Sequence, residues 1–256
     1  YGRRILQVGY SANILPVFVE GSVYNELGQK LYSLDSNLCL TSYSYDDFGR
    51  LSLVSYPYTD AHSEKMKYAV ADAGLFFISE TVSYQTLSVS DADYAKIQQL
   101  CALIGLGSYQ VQANQQILTE EFTYDENNNI LSLKNPYGTI LFSYDSENRL
   151  IKWGETGSAD YDDNGNMIHK KTSFSECTYA YTKDNRLSSA IVHSLPDNTY
   201  CRYTNAYDAF GRRYKAYVSG SGTQKNTYIG LSLQLFDSVK IDSDESVSVG
   251  SYIVSV

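Results

Sequence analysis

Tyr45-Asp46-Asp47-Phe48-Gly49-Arg50-Leu51 is the stretch whose reading decides the fold. An Asp at the first position of a four-residue turn can accept backbone N–H bonds through its carboxylate. A Gly at the fourth position supplies a positive φ with no Cβ in the way. Together they make a hairpin loop: a type I turn closed by a left-handed residue. The phrase returns as YNELGQKL at 24–31, YDENNNIL at 124–131, YDSENRL at 144–150, YDDNGNMI at 161–168, YTKDNRL at 181–187 and YDAFGRR at 207–213. Gly28, Gly49, Gly165 and Gly211 hold the fourth position in four copies, and Asn128, Asn148 and Asn185 hold it in the others. Asn is the next residue most tolerant of φ > 0, so the substitutions preserve the turn.

The opening tyrosines, Tyr24, Tyr45, Tyr124, Tyr144, Tyr161, Tyr181 and Tyr207, stand at intervals of 21, 79, 20, 17, 20 and 26 residues. All but one of these intervals centre on about twenty. The long one is close to four units, so it holds either three worn-out repeats or an inserted element. Beside the turns the residues alternate, as strands with one buried face do. Phe122 should share a face with Tyr124, Phe142 with Tyr144 and Tyr179 with Tyr181; beyond the turns, Leu51 should share one with Leu53, and Leu131 with Leu133. A lone hairpin is marginal in water, so the units are expected to pair side by side. The composition agrees: of 256 residues 25 are Tyr, 9 Phe and one Trp, with 19% charged. Tyrosine suits a pleated, half-buried surface, offering a ring to the packed face and a hydroxyl that can still find a partner. The expected fold class is all-β, with repeated antiparallel hairpins in a continuous spiralling sheet and one short helical insertion. That helix is predicted near 91–104, within an unrepeated segment at 57–121. Ser90 or Asp91 caps it, Tyr94, Ile97, Leu100, Cys101 and Ile104 recur at threes and fours, and Gly105 and Gly107 end it.

The formal net charge of -9 repels phosphate backbones, which argues against nucleic acid as a partner. No run approaches the ~18 apolar residues of a membrane-spanning helix; the strongest cluster is Leu75-Phe76-Phe77-Ile78. Cys39, Cys101, Cys177 and Cys201 form no C-x-x-C pair and have no His at ligand spacing, so neither a metal nor a cofactor is expected. Cys177 and Cys201 would face each other if they lay on paired strands. No Asn stands in an N-x-S/T sequon, which disfavours a eukaryotic extracellular protein.

The phrase, complete at 45–51 and nearly so at 207–213, resembles the YD repeat of the rearrangement-hotspot (RHS) family. That family includes bacterial polymorphic toxins, the cocoon-forming subunits of insecticidal toxin complexes, and the animal teneurins. The resemblance covers 24–56 and 122–236, including Tyr228-Ile229-Gly230-Leu231. Tyr1-Gly2-Arg3-Arg4 matches Phe210-Gly211-Arg212-Arg213, so the chain is expected to open inside a repeat. The resemblance implies that residues 1–256 are one segment of a β-shell, secreted or at the bacterial cell surface. Its partners would be the remainder of the same polypeptide and an enclosed effector or neighbouring toxin subunit. A surface module binding carbohydrate or protein is the alternative, and a hydrolase a distant third. Some members carry a self-cleaving segment with Asp-Pro-x-Gly elements. This chain has only Asn135-Pro136-Tyr137-Gly138, so no protease residue is carried over.

No catalytic set is expected. Asp60, His62 and Ser63 are adjacent in sequence, which is not triad geometry, and His169 and His193 have no motif around them. The pairs Asp46-Asp47 and Asp162-Asp163 resemble glycosidase acids, but their recurrence at each turn fits capping. Asp242-Ser243-Asp244-Glu245 reads as a hairpin tip rather than a calcium loop. Arg50, Arg149, Arg186 and Arg212 follow turn acids, which predicts local ion pairs rather than sugar-binding cations. The residues singled out are therefore the structural signature: Tyr24, Gly28, Tyr45, Asp46, Gly49, Arg50, Leu51, Tyr124, Asp125, Tyr144, Asp145, Arg149, Tyr161, Asp162, Gly165, Tyr181, Arg186, Tyr207, Asp208, Gly211 and Arg212.

Overall fold

A computed structural model describes residues 6–10, 16–35, 39–75, 89–103, 116–220, 222–228, 235–241 and 247–251, without side chains at 6–20 and beyond 225. The chain divides into two compact units, Tyr1–Arg149 and Leu150–Val256. The first contains strands β1 (Leu6–Tyr10), β2 (Pro16–Tyr24), β3 (Lys30–Asp35), β4 (Leu40–Tyr45) and β5 (Leu51–Pro57). Helices α1 (Asp60–Asp72) and α2 (Asp91–Leu103) follow, and then β6 (Ile117–Tyr124), β7 (Ile130–Asn135) and β8 (Gly138–Tyr144). The second unit contains β9 (Leu150–Trp153), β10 (Gly157–Tyr161), β11 (Met167–Lys171), β12 (Ser175–Tyr181) and β13 (Leu187–Ser194). It continues with β14 (Thr199–Tyr207), β15 (Arg213–Val218), β16 (Gly222–Tyr228), β17 (Leu235–Ile241) and β18 (Val247–Ser251).

Within each unit every strand pairs antiparallel with the next, so the fold is all-β in the sense expected: a meander of hairpins. All seven YD turns follow a strand running in the same sense, which places those of each unit along one edge of its meander. The register slips by one residue at six of the seven opening tyrosines: Tyr45 faces Leu51 while Ser44 faces Leu53, and Tyr124 faces Ile130 while Thr123 faces Ser132. This bulge corrects one expectation. Residues directly opposite project to the same side, so Leu51 lies with Tyr45, and Leu53 lies on the other face with Ser44. Simple alternation fails there because the bulge inserts one extra residue.

The 79-residue interval holds an insertion, since β5 pairs directly with β6 from Leu53↔Glu121 to Pro57↔Ile117. Among its described residues there are two helices rather than the single one expected. The missed helix, α1, has clear local causes. Thr59 Oγ1 accepts the His62 N–H, Asp60 lies in the first turn, and Ser63, Met66 and Val70 recur at helical spacing and are buried. In α2 Ser90 Oγ accepts the Asp93 N–H and donates to the Asp93 carboxylate, a two-way cap. Ile104, Gly105 and Gly107, expected to end α2, lie outside the described residues, as do Tyr1–Arg4, the end of Tyr228–Leu231 beyond Tyr228, and Asp242–Glu245. Strands β17 and β18 around that last stretch do pair, ending at Ile241↔Val247.

The two helices cover opposite faces of the first meander. Ile97, Leu100 and Cys101 of α2 pack with Val23, Leu34, Leu40 and Ile117 as a buried cluster. Gly21 makes this approach possible, because a Cβ there would come within 2.6 Å of the Leu100 side chain. On the face that carries the repeat tyrosines, Val54, Leu118 and Ile140 are buried. There Val70 of α1 lies against Gly138, and Ser63 Oγ is 2.6 Å from the Tyr137 hydroxyl, both residues buried.

Candidate functional site

The repeat signature assembles into seven turns of one design. In each, the fourth turn residue donates its N–H to the carbonyl of the first, as Gly49 does to Asp46 at 2.9 Å, and the first donates back across the turn, as Asp46 does to Arg50 at 2.8 Å. The fourth residue is left-handed in all seven, with φ between 56° at Asn185 and 87° at Gly28. The carboxylate of Asp46 is fully used: Oδ1 accepts the Phe48 and Arg50 N–H groups at 3.0 and 2.8 Å, and Oδ2 accepts Arg50 Nε at 2.7 Å. Asp145 with Arg149 and Asp208 with Arg212 repeat this set. Asp125 and Asp162 repeat it with Asn129 and Asn166 in place of the arginine. Asn25 and Thr182 replace the Asp in the two remaining turns and accept the Gln29 and Arg186 N–H groups. Three of the four repeat arginines thus form the expected ion pairs. Arg186 does not, because Thr182 offers it no carboxylate.

From the second repeat onward, the tyrosine fastens its hairpin to the one before it. Tyr45 Oη donates to Lys30 O at 2.9 Å, Tyr124 to Leu51 O at 2.7 Å and Tyr144 to Ile130 O at 3.0 Å. In the second unit Tyr161 donates to Leu150 O, Tyr181 to Met167 O and Tyr207 to Leu187 O, all at 2.9 Å. The acceptor is always the residue six places after the preceding tyrosine. The ladder explains this position. Pairing between β5 and β6 starts at Leu53, between β7 and β8 at Ser132, and between β13 and β14 at Ser189, so Leu51, Ile130 and Leu187 lie just beyond the last rung. A carbonyl stranded there and partly covered loses its water without gaining a strand partner. The tyrosine hydroxyl supplies that partner.

A second link runs along the turn edge, from the residue after the left-handed position to the left-handed residue of the next turn. Arg50 Nη1 reaches Asn128 Oδ1 and Asp125 O, both at 3.0 Å, with its guanidinium 4.7 Å from the Tyr124 ring centroid. Asn129 and Asn166 donate to Asn148 and Asn185 at 3.0 and 2.9 Å. At Gly211 the guanidinium of Arg186 fills the space a Cβ would take.

These contacts set the electrostatics. The Asn129 amide, followed by the N–H groups, holds the Asp125 carboxyl below the usual carboxylate range, and the Arg149 N–H and guanidinium do the same at Asp145. At Asp46 and Asp208 partial desolvation pushes upward, but the hydrogen bonds from Arg50 and Arg212 outweigh it and the result is again a lowered pKa. Desolvation raises Tyr45, Tyr124, Tyr144 and Tyr181, with the carboxylates of Asp46, Asp125 and Asp162 adding to it at the last three.

Among solved structures the chain is similar to TcdB2-TccC3 without its hypervariable C-terminal region, at 13% identity and a TM-score of 0.43, covering 92% of this chain and 14% of that one. It is similar to a Photorhabdus luminescens Tc holotoxin pore with the same four values, and to TcdB2-TccC3 at 13% identity and a TM-score of 0.42, covering 93% and 14%. The chain therefore spans 14% of the length of these chains. No protein-family model matches it, and no curated protein does.

The other residues weighed from sequence remain apart. The Ser63 hydroxyl bonds to Tyr137, and His62 Nδ1 lies 3.2 Å from Pro57 O, so Asp60, His62 and Ser63 form no relay. His169 sits between Asp160 and Glu176, and His193 stacks on Tyr200 at 4.1 Å. Among the described residues no three His, Cys, Asp or Glu side chains gather as metal ligands would, and no helix is long and apolar enough to cross a membrane. Cys177 and Cys201 both lie opposite Val192, one on each side of it, so their strands are not paired with each other. The tyrosine acceptors escaped the sequence reading, although the constant six-residue offset was there to be found.

Proposed function

We propose that this chain is a section of the wall of an RHS-type β-hairpin shell that encloses or helps deliver a toxin effector within a larger secreted protein, and that it performs no chemistry of its own. The observation that carries this reading is the serial interlock. From the second repeat onward each hairpin gives a tyrosine hydroxyl to a carbonyl of its predecessor, and one carboxylate of each pair that resembled catalytic acids, Asp46 and Asp162, is consumed in capping. Such an array builds an extended surface, and its side chains are committed to holding it. Deleting residues 24–213 from the parent protein should expose the enclosed segment to added protease; cargo that stays as resistant as before refutes the proposal.

A second reading, a bacterial surface module that binds carbohydrate or protein, draws on the exposed tyrosines of β14 and β15, Tyr200, Tyr203, Tyr214 and Tyr217. A glycan array separates the two, since a wall segment should bind none of its sugars.

A further inference from the structure

Leu27 and Phe48 are the most exposed large apolar side chains among the described residues, at 83% and 82%. Both occupy the same place, the third residue of a YD turn, in two consecutive repeats. Each is preceded by an exposed acid, Glu26 or Asp47, and the next turn presents Glu126. Arg50, beside Phe48, is held by Asp46, Asp125 O and Asn128. A groove of about 490 Å³ runs beside Phe48, lined by Arg50, Tyr124, Asp125, Glu126 and Asn128. Single exposed apolar residues are ordinary on a protein surface. Two in repeat register, each flanked by an acid and one of them, Phe48, lining a groove, form a patterned surface.

We propose that the turn tips at 25–28, 46–49 and 125–128 dock a basic amphipathic helix of a partner protein. Consecutive tips are two strand spacings apart, ~9.5 Å. One heptad of α-helix rises ~10.5 Å, so apolar side chains at i and i+7 meet Leu27 and Phe48 together, and lysines or arginines beside them face Glu26, Asp47 and Glu126. The same acids disfavour nucleic acid and anionic lipid. They also disfavour a second copy of this chain, whose tips carry the same sign and whose net charge is -9. The inference does not depend on the shell reading, because the tips lie at the edge of the sheet whichever of its faces is enclosed.

The test is a calorimetric titration of the full chain with a synthetic Leu/Lys helical peptide carrying Leu at i and i+7, against a peptide of the same composition with the leucines on opposite faces. The patterned peptide is expected to bind and the scrambled one to bind about tenfold more weakly or not at all. Leu27→Ser with Phe48→Ser should weaken binding by about tenfold or more. Glu26→Gln with Asp47→Asn and Glu126→Gln, a second set that leaves the apolar tips intact, should weaken it and flatten its salt dependence. Leu141→Ser, at an exposed strand position, should leave it unchanged. Equal binding of the two peptides, wild-type affinity in either tip variant, or absence of binding overturns the proposal. A wild-type dimer that Leu27→Ser with Phe48→Ser dissolves also overturns it, in favour of self-association.

Discussion

Replacing Tyr124 by Phe removes one hydroxyl and nothing else from the link that spans the insertion. The ring stays beside the Arg50 guanidinium, and the strand ladder starting at Leu53↔Glu121 is untouched. What is lost is the 2.7 Å bond to Leu51 O, a carbonyl beyond the last rung with no ladder partner of its own. A typical intramolecular hydrogen bond is worth about 0.5–1.5 kcal/mol net, and a covered carbonyl left without a donor costs about 1–3 kcal/mol. Tyr124 is half-buried, so water reaches part of the vacated site and the expected loss is about 1–1.5 kcal/mol. For a chain of this size that lowers the thermal midpoint by roughly 2–6 °C. Thermal melts followed by circular dichroism, with urea unfolding as a second probe, measure it, and Tyr214→Phe at an exposed position serves as the control. If Tyr124→Phe is no more costly than Tyr214→Phe, the hydroxyl does not fasten consecutive hairpins and the interlock argument fails.

Gly49, at φ 79°, should tolerate Asn, which holds the same position at 128, 148 and 185, but Gly49→Val should cost ~1–3 kcal/mol in the same melts because a β-branched residue is strained there. Acid should loosen the turns. Asp46, Asp125, Asp145 and Asp208 have folded pKa values below the unfolded ~3.9, so their contribution is present above that value and disappears as pH falls through the lower one. A thermal midpoint that holds level from neutral pH to well below 4 contradicts the capping scheme. Alkali should act on the tyrosines with the opposite sign. Tyr45, Tyr124, Tyr144 and Tyr181 are raised above ~10, so their contribution is intact below that pH and fades as it rises further; spectrophotometric titration should show a late fraction of tyrosines ionising together with unfolding. Cys177 and Cys201 should resist oxidative pairing. Their strands flank β13, ~9.5 Å apart, beyond the ~6.8 Å that a disulfide spans; an intramolecular bond found by mass spectrometry after mild oxidation would mean the register is wrong.

The turns were readable because their chemistry is local: an Asp that reaches the N–H groups two and four residues on, and a left-handed residue that only Gly or Asn fills cheaply, leave their mark within five residues. The α2 cap and the burial of Ile97, Leu100 and Cys101 were legible for the same reason. Helix α1 carried equally local signals in Thr59, Asp60, Ser63, Met66 and Val70, but the single break in the repeat period drew attention to α2. The face shared by Leu51 and Tyr45 was not legible, since a bulge adds one residue and inverts every inference drawn from period two. The partners of the tyrosine hydroxyls were hidden for a different reason. Their acceptors are backbone carbonyls, which every residue possesses, and only the strand register shows which of them lacks a rung.

The tyrosine link has a direction. Its donor always belongs to the later hairpin and its acceptor to the earlier one, so the array has a head and a tail, and the two ends present different chemistry. During synthesis from the N-terminus, the acceptor at Leu51, Ile130, Leu150, Met167 or Leu187 is already displayed when the next tyrosine emerges, and each finished hairpin acts as a template for its successor. Growth of the sheet can therefore keep pace with the ribosome. A circular permutant that begins inside the array would reverse that order at one joint, with its tyrosine made long before its carbonyl.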